Sequence, residues 1–178
     1  MGRSPASAGE AKSKGFEAQT TFQATPDASL FATYGYSHAR FGSGRFEGNR
    51  FRLSPDHSVS IGASLAANAL SGRFTFVPTY TWQSSQFFDN NNDIAALQST
   101  TGTIKDTVQD EKQKAFGLAN LRLTYEPDGR NFAIGAFVNN VFDEKYIKDA
   151  GNTGDAFGIP TFIAGSPRYY GVTFSLRR

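Results

Sequence analysis

The sequence predicts an all-β chain: an antiparallel up-and-down transmembrane barrel wall of about seven strands with one lipid-facing side. Three observations lead there. Apolar and polar residues alternate with period two over seven stretches, each stretch has an apolar row of four or more residues free of charge, and the connections between stretches are alternately short and long. Composition agrees, since 178 residues include 17 Phe, 7 Tyr and 18 Gly but 1 Met, a bias toward strand over helix.

The stretches lie near 15–25, 29–41, 57–66, 72–86, 115–125, 131–142 and 168–178. In the first, Phe16, Ala18, Thr20 and Phe22 share a face opposite Glu17, Gln19, Thr21 and Gln23. The second opposes Leu30, Ala32, Tyr34 and Tyr36 to Phe31, Thr33, Gly35 and Ser37, and the third Val59, Ile61, Ala63 and Leu65 to four residues that are Ser or Gly. The fourth places Phe74, Phe76, Pro78, Tyr80 and Trp82 in one row; Pro78 removes a ladder donor, which predicts a bulge. The fifth aligns Ala119, Leu121, Leu123 and Tyr125, the sixth Phe132, Ile134, Ala136 and Val138, and the seventh Tyr170, Val172, Phe174 and Leu176.

Every charge in these rows falls on the second face. A Lys or Arg on a lipid-facing row at mid-membrane costs about 2–4 kcal/mol, so a charge-free row is what a barrel exterior requires. The opposite row is mostly Ser, Thr, Gly, Gln and Asn rather than the Lys and Glu of a solvated sheet. The connections are tight at 25–28, 68–72 and 126–131 and long at 42–56, 87–114 and 143–167. Short turns on one rim and long loops on the other are barrel geometry, and Tyr36, Tyr80, Trp82, Tyr125 and Tyr170 are candidates for the interfacial aromatic girdles. A soluble antiparallel β-sandwich serving as a binding module is the alternative, because it too has one apolar face per strand.

Composition excludes several function classes. A formal charge of +2 with dispersed basic residues gives no nucleic-acid footprint. The absence of cysteine removes disulfides and thiolate metal sites, and no apolar run approaches the ~18 residues of a membrane helix. His38 and His57 lack zinc-motif company, GASLA at 62–66 lacks the helix of a nucleophile elbow, and GSGRFEG at 42–48 lacks the dinucleotide spacing. The acid pairs Asp110–Glu111 and Asp143–Glu144 have no third oriented partner, and DNNND at 89–93 departs from the EF-hand pattern. No catalytic, cofactor-binding or metal residues are therefore expected, and no enzyme.

GAFVNNVFDEKY, Gly135 to Tyr146, resembles the penultimate-strand signature of TonB-dependent outer-membrane receptors, with Asn140, an apolar pair, Asp143 and Tyr146 in place. SAGEAKSKGFEAQTTFQATPDASLFATYGYSHARF, LSPDHSVSIGASL, TYTWQSSQFFDNNN and SPRYYGVTFSLRR are similar to other strands of that family. The resemblance implies a barrel of about 22 strands with a plugged lumen, of which residues 1–178 are the C-terminal part, without plug domain, energy-coupling box or signal sequence. It implies uptake of a large scarce nutrient, a ferric siderophore first, at the outer membrane of a Gram-negative bacterium. The implied partners are outer-membrane lipid, the rest of the barrel and plug, a TonB-type energy-coupling protein acting through the plug, and the barrel-assembly machinery.

In that setting Asn140 satisfies loop backbone groups where the sixth strand leaves the bilayer, and Asp143 and Tyr146 pin the loop that follows. Candidate ligand-facing positions are Arg45, Phe46 and Arg50 in the first long loop, the segment from Asp89 to Lys114, and Phe157, Phe162 and Arg168 in the third, where Arg would attract an anionic chelate. The family usually ends on an aromatic residue, whereas this chain ends at Arg178. That departure leaves a nonfunctional truncated receptor remnant as a further alternative.

Overall fold

The computed structural model describes residues 9–98, 100–101, 104–105, 110–150, 159 and 161–176; Phe157 and Arg178 lie outside them. Seven strands follow one another: β1 (Ala11–Thr25), β2 (Ala28–Phe41), β3 (His57–Asn68), β4 (Gly72–Gln83), β5 (Phe116–Pro127), β6 (Phe132–Asn139) and β7 (Tyr169–Leu176). They form one antiparallel sheet in chain order, with β1 and β7 at its open edges. The seven expected strands are all present, because each carries the alternation that a sheet with two unlike faces needs.

Register aligns the apolar rows into one continuous face. Thr20 pairs with Ala32, Ala32 with Ile61, Ile61 with Tyr80 and Tyr80 with Ala119. Further along, Leu123 pairs with Ala136 and Ala136 with Val172. A slip of one residue anywhere would put charges such as Glu17 or Arg122 into this face.

Nothing among the described residues covers it. Phe22 is 62% exposed, Ile61 46% and Val172 82%, and among the described residues the buried apolar side chains are Ala39, Ala63, Phe88, Ala133 and Ala150. The other ladders are two-stranded and lie in the loops: Gln86–Phe87 with Lys112–Gln113, Thr100–Thr101 with Ile104–Lys105, and Ile147–Ala150 with Phe162–Ala164. A sandwich needs a second sheet on the apolar side, so that alternative is overturned; a face this apolar and this open is built for lipid.

The short turns meet on one rim. Arg73 holds Asp27 at 2.7 Å, the Tyr125 hydroxyl donates to the Leu70 carbonyl at 2.6 Å, and the Asp128 N–H donates to the Ser71 carbonyl at 2.9 Å. Two aromatic groups mark the strand ends. Near the long loops, Phe16 lies against Tyr34 and Tyr36, and the Tyr34 hydroxyl meets His57 Nδ1 at 2.8 Å. Near the short turns, Phe74 stacks on Tyr125 and Phe132 on Phe174.

Two expectations need correction. No bulge forms at Pro78: the β3–β4 ladder runs from Ser58↔Gln83 to Gly62↔Thr79 and resumes at Leu65↔Phe76 in the same register. The missing donor is absorbed as a gap facing β3, while the other side of β4 pairs without interruption. Second, β1 starts at Ala11, so Lys12 and Lys14 extend the apolar row beyond the aromatics, opposite Arg40 and His38. The charge-free rule thus holds inside the span and ends above it.

Candidate ligand-facing loop rim

The first two long loops are knitted by hydrogen bonds between residues far apart in sequence. Asn49 Nδ2 donates to the Asn90 carbonyl at 2.8 Å, the Arg50 N–H to Asn92 Oδ1 at 2.7 Å, and the Leu53 N–H to the Phe87 carbonyl at 2.8 Å. Asn91 lies beneath this seam, its Nδ2 donating to Gln98 Oε1 and to Glu111 Oε2, each at 2.8 Å. Glu111 is only 2% exposed, so this amide is part of what makes burial of the carboxylate tolerable.

Asp56 accepts a fork from Arg40, with both oxygens at 3.0 Å, and lies 3.6 Å from Arg50. Burial alone would raise the Asp56 carboxyl; the Arg40 hydrogen bonds and the charges of Arg50, Arg40 and His38 outweigh it and hold it below the ordinary aspartate value. Burial lowers the Arg50 guanidinium, opposed by Asp56 and reinforced by Arg40.

The third loop starts at Asn140, 3% exposed with φ of 51°, a left-handed conformation that Asn tolerates. Its side chain donates to the Glu144 and Ser166 carbonyls, both at 3.0 Å, and accepts from the Glu144 N–H at 2.8 Å. Asp143 accepts from the Arg168 N–H at 2.9 Å and from Lys145 Nζ at 2.8 Å, and that backbone bond followed by Lys145 keeps its carboxyl below the usual range. The Tyr146 ring stacks on Phe116 at 4.5 Å and 15°. Gly165 makes room for it, since a Cβ there would lie 2.4 Å from the Tyr146 ring.

Phe116 belongs to the polar row, so Tyr146 folds the third loop over that face. There it closes one side of a hollow of about 330 Å³ whose wall includes Ser58, Ser60, Thr81 and Gln83. Gln113 ties the second loop to the third, its Oε1 accepting from the Ile147 N–H at 2.8 Å.

The remaining sequence candidates divide. Arg45 is exposed, donates to the Leu97 carbonyl at 2.9 Å and covers the Phe46 ring, while Phe46 packs on Phe41. Phe162 is half exposed and Arg168 exposed. Arg50 is committed elsewhere: it donates to the Ser85 carbonyl at 2.5 Å, faces Phe87 and closes on Asp56. Sequence reading did not single out Asp56 or Asn49, and it reached Asn91 and Gln113 only as members of the segment from Asp89 to Lys114, because their partners are too distant in the chain for any local pattern. Groups of three or more His, Cys, Asp or Glu able to hold a metal ion do not occur among the described residues.

One lipid-facing side, one polar side, short turns on one rim and knitted loops on the other define a portion of an outer-membrane-type barrel wall. The family model described as "TonB dependent receptor-like, beta-barrel" matches residues 2–141, and the chain belongs to that family. Among solved structures it is similar to the ferric yersiniabactin uptake receptor FyuA from Yersinia pestis, with TM-score 0.76, 16% identity and coverage of 94% of this chain and 23% of that one. The ferric citrate transporter FecA gives TM-score 0.67 and 24% identity, covering 93% of this chain and 24% of that one. BauA, the ferric preacinetobactin receptor from Acinetobacter baumannii, gives 0.69 and 14%, with 94% and 22% covered. The chain spans about a quarter of the length of each, and at these identities the likeness is one of fold. Proteins of this family are transporters and receptors of the Gram-negative outer membrane.

Proposed function

We propose that this chain is the C-terminal wall and outer loops of a receptor that takes up ferric siderophores across the outer membrane, coupled to a TonB-type protein through a plug held in the lumen. One observation carries the reading: seven strands in register present an uncovered apolar face on one side and a Ser/Thr/Gln-rich face on the other, with the long loops drawn together at one rim. The polar row is suited to line a plugged lumen. The similar structures named for ferric chelates support the substrate class.

Within the loops we assign ligand contact to Arg45, Phe46, Phe157, Phe162 and Arg168, where cations and aromatic rings suit an anionic aromatic chelate. Arg50 serves as a clamp between loops, and Asn140, Asp143 and Tyr146 hold the third loop in place. The barrel-assembly machinery and outer-membrane lipid complete the partners.

The test is uptake of radiolabelled iron, presented as a panel of ferric siderophores, by iron-starved cells with and without the gene that encodes this chain. Loss of uptake of one chelate on deletion, restored by the gene and reduced by Arg45→Ala with Arg168→Ala, supports the proposal. Unchanged uptake of every chelate contradicts the substrate class.

A further inference from the structure

We infer that the hollow beneath the third loop holds an uncharged, hydrogen-bonding arm of the ligand, so that this wall selects chelates that carry one. The inference rests on the receptor reading above and deepens it. The hollow lies among β2, β3, β4 and β5, away from both open edges of the sheet. Ser58, Gln83 and Phe116 stand side by side where those strands meet the loops, and Gly35 completes their row without a side chain. Thr33, Ser60, Thr81 and Leu118 form the next row of the polar face, about 7 Å further down.

The chain itself closes the hollow from above. Tyr146 is held over Phe116 by the ring stack, and its hydroxyl accepts from the Ser166 N–H at 3.3 Å. A volume of about 330 Å³ is near the bottom of the range for small-molecule sites, about 300–1,000 Å³, so the space takes one arm of a chelate rather than the whole.

Its chemistry is neutral. None of the lining residues carries a charge, and the side chains of Thr33, Ser58, Ser60, Thr81 and Gln83 make no hydrogen bond among the described residues. In the loop seam, by contrast, Asn49, Asn91 and Gln113 are all spent on partners. Hydroxyls and a carboxamide both donate and accept, which suits hydroxyl or amide groups on the occupant. A carboxylate would lose its hydration there without a counter-ion. Cations lie elsewhere: Tyr146 also borders the gap between the second and third loops, with Lys112, Lys114, Lys145 and one acid, Glu144. A chelate with its charged centre at that gap and its neutral arm in the hollow satisfies both surroundings.

The test measures binding of ferric citrate, a ferric tris-catecholate and a ferric tris-hydroxamate to the full-length receptor in detergent, with heat-modifiable gel mobility confirming that each variant is folded. For the chelate that binds, Ser60→Ala with Thr81→Val removes two hydroxyls and is expected to weaken binding about tenfold. Ser60→Phe, which fills the hollow, is expected to weaken it further. Unchanged affinity in both variants overturns the inference, and if cells carrying Ser60→Phe then admit vancomycin, the plug fills the hollow instead.

The charge of the occupant is read from Thr81→Lys and Thr81→Glu. Both are expected to weaken binding; tighter binding by Thr81→Lys would show an anionic group in the hollow and overturn the neutral arm. A folded wild-type receptor that binds none of the three chelates sinks the substrate class itself, whereas one that binds a chelate indifferently to the hollow sinks this inference alone.

Discussion

At Asn140 a single side chain bonds three backbone groups of the loop it begins, and its own N–H donates to Asn120 Oδ1 on β5 at 3.0 Å. Asn140→Ala removes three side-chain hydrogen bonds to backbone and should cost about 2–4 kcal/mol, since each such bond contributes about 0.5–1.5 net. The urea midpoint of the folded receptor in detergent measures it, and Asn140→Asp, which keeps the acceptor, should lose less. Asp56 gives a pH prediction. Its folded value lies below the ordinary ~3.9, so its stabilisation is fully present above about pH 4 and is lost as pH falls through the lower folded value. Protection of the Ser37 and Leu53 amides from hydrogen exchange, relative to their intrinsic rates, should therefore fall in acid, and Asp56→Asn should show the same opening at neutral pH. Identical exchange in wild type and variant would refute the clamp.

At the scale of elements, the turn between β3 and β4 puts both central residues, Leu70 and Ser71, at positive φ, 55° and 51°. That is the twist a two-residue hairpin requires, met here by residues that adopt it poorly. Leu70→Asn with Ser71→Gly should stabilise the receptor by about 1 kcal/mol, read as a higher urea midpoint; a lower midpoint would show that the exposed Leu70 side chain has another task. Strand identity, face and register were legible in the sequence because alternation is local: Val59 to Leu65 spells one face of β3 without reference to anything distant. The turn at Leu70 was legible by length but not by conformation. The first four residues of β1, Ala11 to Lys14, lay outside the stretch expected near 15–25 because their charges interrupt the apolar alternation. The loop seam was invisible, since Asn91 and Glu111 or Gln113 and Ile147 meet only after the strands have placed them.

For the whole molecule, the sheet is a wall rather than an enclosure. Both edges, β1 and β7, present unpaired backbone, and β1 is exposed along its whole length. Residues 1–178 alone, without detergent, should therefore associate through the apolar face and these edges, visible as large species in light scattering. Ile61→Arg should destabilise the receptor by about 2–4 kcal/mol and Ser60→Arg by far less, because only the first puts a charge in the lipid-facing row.

The most direct measurement is a scan of single cysteines from Ser58 to Leu65, in a chain that has no cysteine of its own. Each is spin-labelled in the reconstituted receptor, and collisions with lipid-soluble oxygen are compared with those of an aqueous nickel chelate. The account predicts strict alternation, with positions 59, 61, 63 and 65 favouring oxygen and 58, 60, 62 and 64 lacking that preference. Equal access of the nickel chelate to both rows, or the opposite phase, would contradict it.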